Sequence, residues 1–384
     1  MAHKGASLHP GRLGVGIVGL HEGLTLLKAL SHTVPDALST SRPARDGEAT
    51  RCQFAFAAAG CDQDEGKCTR AREVAPGTPT TTSFDELLQR EDVAVVAIYT
   101  PDASHGELIE RAMRAGKHVI CTKPLVVTVA EAGRIRRVAE ETGMRLQVGQ
   151  STRFFPPFAQ QRAAFERGEL GALDLIDTHY IHRMDWFYEK SPWAKDTTDW
   201  IFLGMSHPLD LLTWYGGRAE TVTATSTQSA LSRSFGAAGA DIYSVNVEFA
   251  DGRIGRALGH YGLVELPSAR NAIECMLYGD KGTSQAQYHD MRYRQTGLSG
   301  EEVLVDRLYA GRGPYFNNEV HGMHYGEFAA YTDHFAQAIL EGTPNQPDLT
   351  SGLETFALME AARRSALRGQ SVRVDEVWAE MAAS

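Results

Sequence analysis

Tyr99-Thr-Pro-Asp-Ala-Ser-His105, then a helical stretch, then Gly116-Lys-His-Val-Ile-Cys-Thr-Lys123-Pro-Leu125: this run decides the fold. Before it, an apolar run at residues 93–98 ends at Thr100-Pro101, which reads as a buried parallel strand running out into a loop. Ser104 is expected to open a helix, with Glu107 as its capping-box partner, and Gly116 to close it. A second short apolar strand, residues 118–121, then delivers Lys123-Pro124 to the end of the sheet. Ligands of open α/β sheets bind outside the C-terminal strand ends. The strand therefore places Lys123 for chemistry, where a lone lysine would otherwise be a solvated surface charge.

Upstream, residues 13–18 form a strand, followed by Gly19-Leu-His-Glu-Gly23 and an apolar helix at residues 24–30. Strand, glycine turn, helix is the context a dinucleotide fingerprint requires: glycine lets the backbone approach a pyrophosphate seated on the helix N-terminus. The match is incomplete. His21 replaces the middle glycine, and the last is either Gly23, one residue early, or Leu24. His21 either touches the pyrophosphate or covers the turn. The next strand, residues 53–60, ends at Cys61-Asp62. Asp62 either accepts hydrogen bonds from the adenosine ribose or caps the next helix. No Arg or Lys follows at once to hold a 2′-phosphate, which favours NAD over NADP. Residues 39–50, rich in Ser, Arg, Pro and Gly, read as an inserted surface loop. Capping boxes are expected at Ser83/Glu86 and Thr128/Glu131, and a strand at residues 145–149 closes the doubly wound unit.

Past residue 150 the βα alternation stops. Residues 174–182, 220–227, 243–249 and 273–278 alternate in polarity, and Asp251-Gly252 and Gly279-Asp-Lys-Gly282 read as hairpin turns. Helices are expected at residues 158–167, 206–215, 327–341 and 351–368, the last with a Ser351/Glu354 capping box. The expected fold is an α/β Rossmann domain at residues 1–150, which binds NAD. An α+β domain at residues 151–384 follows, with a large, mostly antiparallel open sheet for substrate binding and oligomerisation.

The 384 residues carry a net charge of −10 without a basic block, which argues against a nucleic-acid partner. No apolar stretch approaches the roughly 18 residues of a membrane span, and residues 1–12 lack the apolar run of a signal peptide. The five cysteines, Cys52, Cys61, Cys68, Cys121 and Cys275, form no Cys-x-x-Cys pair, as suits buried thiols in a reducing cytoplasm. A cytoplasmic location is expected.

The run Thr-Pro-Asp-x-x-His, helix, Gly-Lys-His-Val-x-x-x-Lys-Pro resembles the glucose–fructose oxidoreductase/inositol dehydrogenase/rhizopine catabolism (GFO/IDH/MocA) family. That family usually has Thr-Pro-Asn and Glu-Lys-Pro there. Gly-Asp-Lys-Gly-Thr at Gly279 and Glu-Ala-Ala-x-x-Ser at Glu360 look like its later landmarks. The resemblance implies a sugar or polyol dehydrogenase with NAD as cofactor. Thr100, Pro101, Asp102, His105, Lys123 and Gln150 join Gly19, His21, Gly23 and Asp62 as expected cofactor residues. Trp193 and Lys195 fall where the family often has Trp-Arg beside the cofactor.

Family members pair the Lys of Lys-Pro with a His in an Asp-x-x-x-His-x-x-Asp pattern. The matching stretch is Leu203-Gly-Met-Ser-His207-Pro-Leu-Asp210. Lys123 and His207 are thus the expected catalytic residues. In a helix, the usual Asp would share a face with the His; Leu203 stands there instead. Asp199 or Asp210 substitutes for it, or His207 acts alone. Tyr180, His182, Asp185, Trp186, Phe187, Tyr188 and Trp193 crowd one segment, as a sugar-stacking wall or as core. Arg153 is expected to hold a hydroxyl or carboxylate, and His324, with His321 and Tyr325, to enter the same cleft. No metal is expected, since His182, His207 and His324 fit no zinc spacing.

Three functions remain open on these grounds: an NAD-dependent dehydrogenase of a sugar, cyclitol or sugar derivative; a redox-neutral, eliminating or hydrolysing sugar enzyme with retained NAD; and a non-catalytic sensor. Retention of Lys123 and His207 argues against the third. The resemblance also implies a homodimer or homotetramer.

Overall fold

A computed structural model describes residues 11–33, 42–45, 48–191, 194–265, 272–307 and 326–384. The chain divides into two units, residues 1–151 with 311–352, and residues 152–310 with 353–384. The first unit carries six parallel strands among the described residues: β1 Leu13–Val18, β2 Ala55–Cys61, β3 Thr80–Thr81, β4 Val95–Ile98, β5 His118–Thr122 and β6 Leu146–Gly149. Their order, β3-β2-β1-β4-β5-β6, is that of a dinucleotide-binding Rossmann sheet. It reverses direction between β1 and β4, so the turn after β1 and the Tyr99–Asp102 loop after β4 flank the switch point where such sheets bind ligands. The strands are almost wholly buried, which explains their unbroken apolar character.

Among the described residues beyond the first-domain strands, residues 326–352 group with the first unit. Specific long-range contacts hold them there. The Tyr99 and Tyr331 hydroxyls meet at 2.6 Å, Phe54 N–H donates to Asp333 at 2.7 Å, and Arg145 donates to Asn345 at 2.8 Å. Helix Glu327–Glu341 is thereby fixed to this sheet.

The second unit holds β7 Leu173–Ile181, β8 Ala219–Thr227, β9 Ile242–Phe249, β10 Ile254–His260, β11 Ile273–Gly279, β12 Gly282–Tyr288, β13 Arg292–Gly297, β14 Glu302–Asp306 and β15 Val372–Arg373. They form one sheet in the order β14-β13-β12-β11-β7-β10-β9-β8-β15, antiparallel except for β7 beside β10. Helix Ser206–Gly216 packs on β7, β10 and β11, and helix Pro156–Glu166 on β12 and β13. The alternation along β10 explains how one face stays open: Gly255 and Ala257 face inward, whereas Ile254 and Leu258 are 52% and 39% exposed.

Two expected caps are replaced. A 3₁₀ turn, Asp102–Ser104, precedes helix His105–Arg114, and the Ser104 hydroxyl bonds the Pro101 carbonyl instead of closing a box with Glu107. The last long helix starts at Leu349, two residues early, and Asp348 rather than Ser351 caps it, accepting the Ser351 N–H at 2.9 Å. Thr128 and Glu131 form a full box; Ser83 caps through the Glu86 N–H. All five cysteines are buried and unpaired. No helix among the described residues is long and apolar enough to cross a membrane.

Candidate active site

In the first unit, the glycine turn and the two signature loops gather at the strand ends. Gly19 sits at φ +88°, and a Cβ there would lie 2.5 Å from the Tyr99 carbonyl oxygen, so only glycine fits. The turn leads into helix Gly23–Ser31, with Gly23 N–H bonded to the Gly19 carbonyl. His21 is exposed on this turn. The side chain of Asp62 accepts Leu20 N–H at 2.8 Å, tying the turn to the end of β2. It also accepts Asp64 N–H, while Asp64 itself caps the following helix. Lys67 stands 3.4 Å from Asp62, a cation that the immediate sequence neighbourhood did not offer.

His105 is buried as a strut beneath the loops: its ring nitrogens reach the Pro124 carbonyl at 2.7 Å and the Thr100 carbonyl at 2.9 Å. Thr100 is bonded through its hydroxyl to Ser104 at 2.7 Å, and Pro101-Asp102 lead into the 3₁₀ turn. Lys123 follows β5. Burial pushes its ammonium below the ordinary lysine range, against the opposing carboxylates of Glu22 and Asp102. Gln150, just past β6, is 2% exposed, and its Oε1 has no hydrogen-bond partner among the described residues. A glycine-started turn at a helix N-terminus, an acid at the β2 end and a buried oxygen at the β6 end that has no partner among the described residues fit a dinucleotide cofactor.

In the second unit, His207 occupies the second position of helix Ser206–Gly216 and is 6% exposed. Its Nδ1 lies 2.7 Å from the Thr152 hydroxyl, and the Tyr180 ring stands edge-on at 5.6 Å. Leu203 ends a short helix, Trp200–Leu203, and Gly204-Met205 separate it from the helix that carries His207. Both proposed substitutes are engaged by other groups. Asp199 caps that short helix through Ile201 N–H and takes the Tyr243 hydroxyl, both at 3.1 Å. Asp210 takes Arg153 at 2.8 Å on both oxygens and Thr355 at 3.1 Å. Arg153 is thereby held in the protein interior, and its guanidinium lies over the Trp214 ring at 5.1 Å.

Around His207 the wall is aromatic. Tyr180 meets Tyr261 edge-on at 5.4 Å, and His182 meets His289 at the same distance. Glu265 holds His182 Nδ1 at 2.5 Å and accepts Arg183 N–H at 2.7 Å. Burial pushes this carboxyl up, but those bonds outweigh it and hold it below the usual range. Asp185 pairs with Arg183, and Trp186 beside it is 38% exposed, whereas Tyr188 is core, accepting the Trp200 indole N–H at 2.7 Å. The Lys195 ammonium lies 5.7 Å from the Phe235 ring. Trp193, His321, His324 and Tyr325 lie outside the described residues. Among the described residues no group of His, Cys, Asp or Glu could hold a metal ion. Sequence reasoning missed Thr152, Glu265 and His289, because their partners stand far away in the chain.

Residues 13–150 match the NAD-binding Rossmann domain of the GFO/IDH/MocA oxidoreductase family, and residues 162–374 match its C-terminal alpha/beta domain. The chain belongs to this family. Its first domain is of the NAD-binding Rossmann type of that family. It is 28% identical over 305 residues to an inositol 2-dehydrogenase of Rhizobium meliloti, covering 76% of this chain and 84% of that one. It is 31% identical over 112 residues to an uncharacterized oxidoreductase of Schizosaccharomyces pombe, 29% of this chain and 30% of that relative. The matches to this and two further uncharacterized oxidoreductases span less than half of those relatives' length. In structure, it is similar to an oxidoreductase from Agrobacterium radiobacter solved with NAD+, L-tartaric acid and magnesium. The TM-score is 0.79 at 20% identity, over 95% of this chain and 99% of that chain, a likeness of fold.

Proposed function

We propose that this oxidoreductase transfers a hydride between a secondary hydroxyl of a sugar, cyclitol or sugar derivative and NAD. The observation that carries the reading is the buried imidazole of His207, held at Nδ1 and backed by the Tyr180, Tyr261, His182 and His289 rings. Aromatic faces take the C–H faces of a ring polyol, and imidazoles take its hydroxyls. The similarity to an inositol 2-dehydrogenase over most of both chains supports the same substrate class.

Bound NAD supplies the hydride acceptor. Gly19, Gly23 and the helix N-terminus would hold the pyrophosphate, and Asp62 the adenosine ribose, in preference to a 2′-phosphate. His207 takes the hydroxyl proton. Lys123, whose ammonium is destabilised by burial, stabilises the developing alkoxide until the carbonyl forms. Each role follows from the family pattern that the residue matches and from the geometry of its own unit. The sheet's open face is the association surface of a homo-oligomer.

The test is the reduced-nicotinamide absorbance of purified protein incubated with NAD and a panel of inositols, aldoses and anhydrosugars. Sustained NADH formation with at least one polyol is expected, abolished in His207→Asn and reduced roughly 10²-fold or more in Lys123→Met. Sugar turnover without net NADH would replace this reading with the redox-neutral one.

A further inference from the structure

We propose that Thr152 is the positioning residue of His207, taking over from another element the work of the carboxylate that Leu203 removes. The inference rests on His207 being the base, as argued above. Thr152 lies in the 3₁₀ turn Ser151–Phe154, is fully buried, and comes within 2.7 Å of Nδ1. The next residue repeats the approach: Arg153 grips Asp210 with two 2.8 Å bonds and covers Trp214. Positions 207, 210 and 214 lie on one face of a helix. The turn therefore crosses that face and clamps it at successive residues. Arg153 fixes the helix, and Thr152 fixes the ring.

The chemical consequence lies in the tautomer. With Nδ1–H donated to the Thr152 oxygen, the lone pair sits on Nε2. In the oxidation, the substrate O–H bond breaks and an Nε2–H bond forms, while the hydride pair leaves carbon for the oxidised nicotinamide. Nδ1–H stays on its nitrogen throughout, and Thr152 remains an acceptor. A hydroxyl can do this because it needs to orient the ring, not to take its proton. The Tyr180 ring packs against the imidazole with centroids 5.6 Å apart.

The experiment compares Thr152→Val, which keeps the shape and removes the hydroxyl, with Thr152→Ser, which keeps the hydroxyl. The valine variant is expected to lose about 10- to 100-fold in kcat with KM for NAD and melting temperature near those of the parent, and the serine variant to recover most of the loss. Long-range ¹H–¹⁵N correlation on ¹⁵N-histidine protein gives a readout independent of turnover. The His207 signal, identified by its loss in His207→Asn, is expected to show the Nδ1-protonated form in the parent and serine variants and to leave it in the valine variant. If Thr152→Val does not fold, Thr152→Ala against Thr152→Ser reads the same hydroxyl. Parental kcat and an unchanged tautomer without the hydroxyl would overturn the proposal. An active His207→Asn would instead overturn the assignment of the base, so the two failures are distinct.

Discussion

Removing the Arg153 guanidinium should be among the most damaging single changes in the second unit. The Arg153 and Asp210 side chains are 5% and 1% exposed, and both carboxylate oxygens accept from the guanidinium at 2.8 Å. Arg153→Met keeps most of the stem's volume but strands a buried carboxylate beside Thr355. Breaking a buried pair in this way costs about 3–5 kcal/mol, far more than any exposed pair on the surface is worth. In a unit of about 190 residues, each kcal/mol moves the melting temperature by roughly 2–4 °C, so a fall of about 6–20 °C is expected. The double variant Arg153→Met/Asp210→Leu replaces charge by packing and should be more stable than Arg153→Met alone, because an apolar substitute for a buried pair is often neutral. Calorimetric scans of the parent, both singles and the double give the coupling. A loss under about 1 kcal/mol in Arg153→Met, or a double variant worse than the sum of the singles, would refute the view that this pair pins the helix that carries His207.

Gly19→Ala should lose roughly 1–3 kcal/mol and weaken NAD binding by calorimetric titration, since a Cβ would meet the Tyr99 carbonyl at 2.5 Å on a backbone at φ +88°; parental affinity would contradict a close cofactor approach. Lys123 should be acylated, by mass spectrometry, at a lower pH than ordinary lysines, because burial lowers its pKa. With the folded value below the unfolded one, its contribution to stability rises as pH climbs from the first toward the second; labelling that tracks surface lysines would refute the shift. Asp62→Ala should narrow the preference for NAD over NADP, leaving Lys67 without its carboxylate neighbour; equal affinity of the parent for both cofactors would sink the role of Asp62. Light scattering at micromolar concentration should give a dimer or tetramer, because Ile254 and Leu258 leave the open face partly apolar; a strict monomer would contradict association through it.

What the sequence made legible was mostly local. The buried strands announced themselves as apolar runs because a parallel sheet covered on both faces tolerates nothing else at β1, β4 and β5. The open sheet announced itself by alternation. Ser104 misled because a capping box read from spacing ignores a competing acceptor: the Pro101 carbonyl takes its hydroxyl and a 3₁₀ turn results. The return of residues 326–352 to the first unit left no mark, since nothing in the sequence near Tyr331 or Asp333 reveals partners at Tyr99 and Phe54.

The site divides along the same line. Lys123 and His207 were legible because a strand end and a helix start are local features that a motif can carry. Their supports were not. Thr152 lies 55 positions from His207, and Glu265 lies 83 from His182. The one local inference about support, an acid four residues before the histidine, assumed an unbroken helix from 203 to 207. The chain instead ends one helix at Leu203 and starts another at Ser206. With Leu203 there, position 203 offers the ring no carboxylate, and spacing alone does not reveal what replaces it. The partner then has to come from whatever crosses the new helix at its first turn. Arg153–Asp210 fixes that crossing, which brings the side chain one residue earlier, Thr152, against position 207. The buried ion pair and the oriented imidazole are thus one arrangement: the pair sets the register, and the register supplies the hydroxyl.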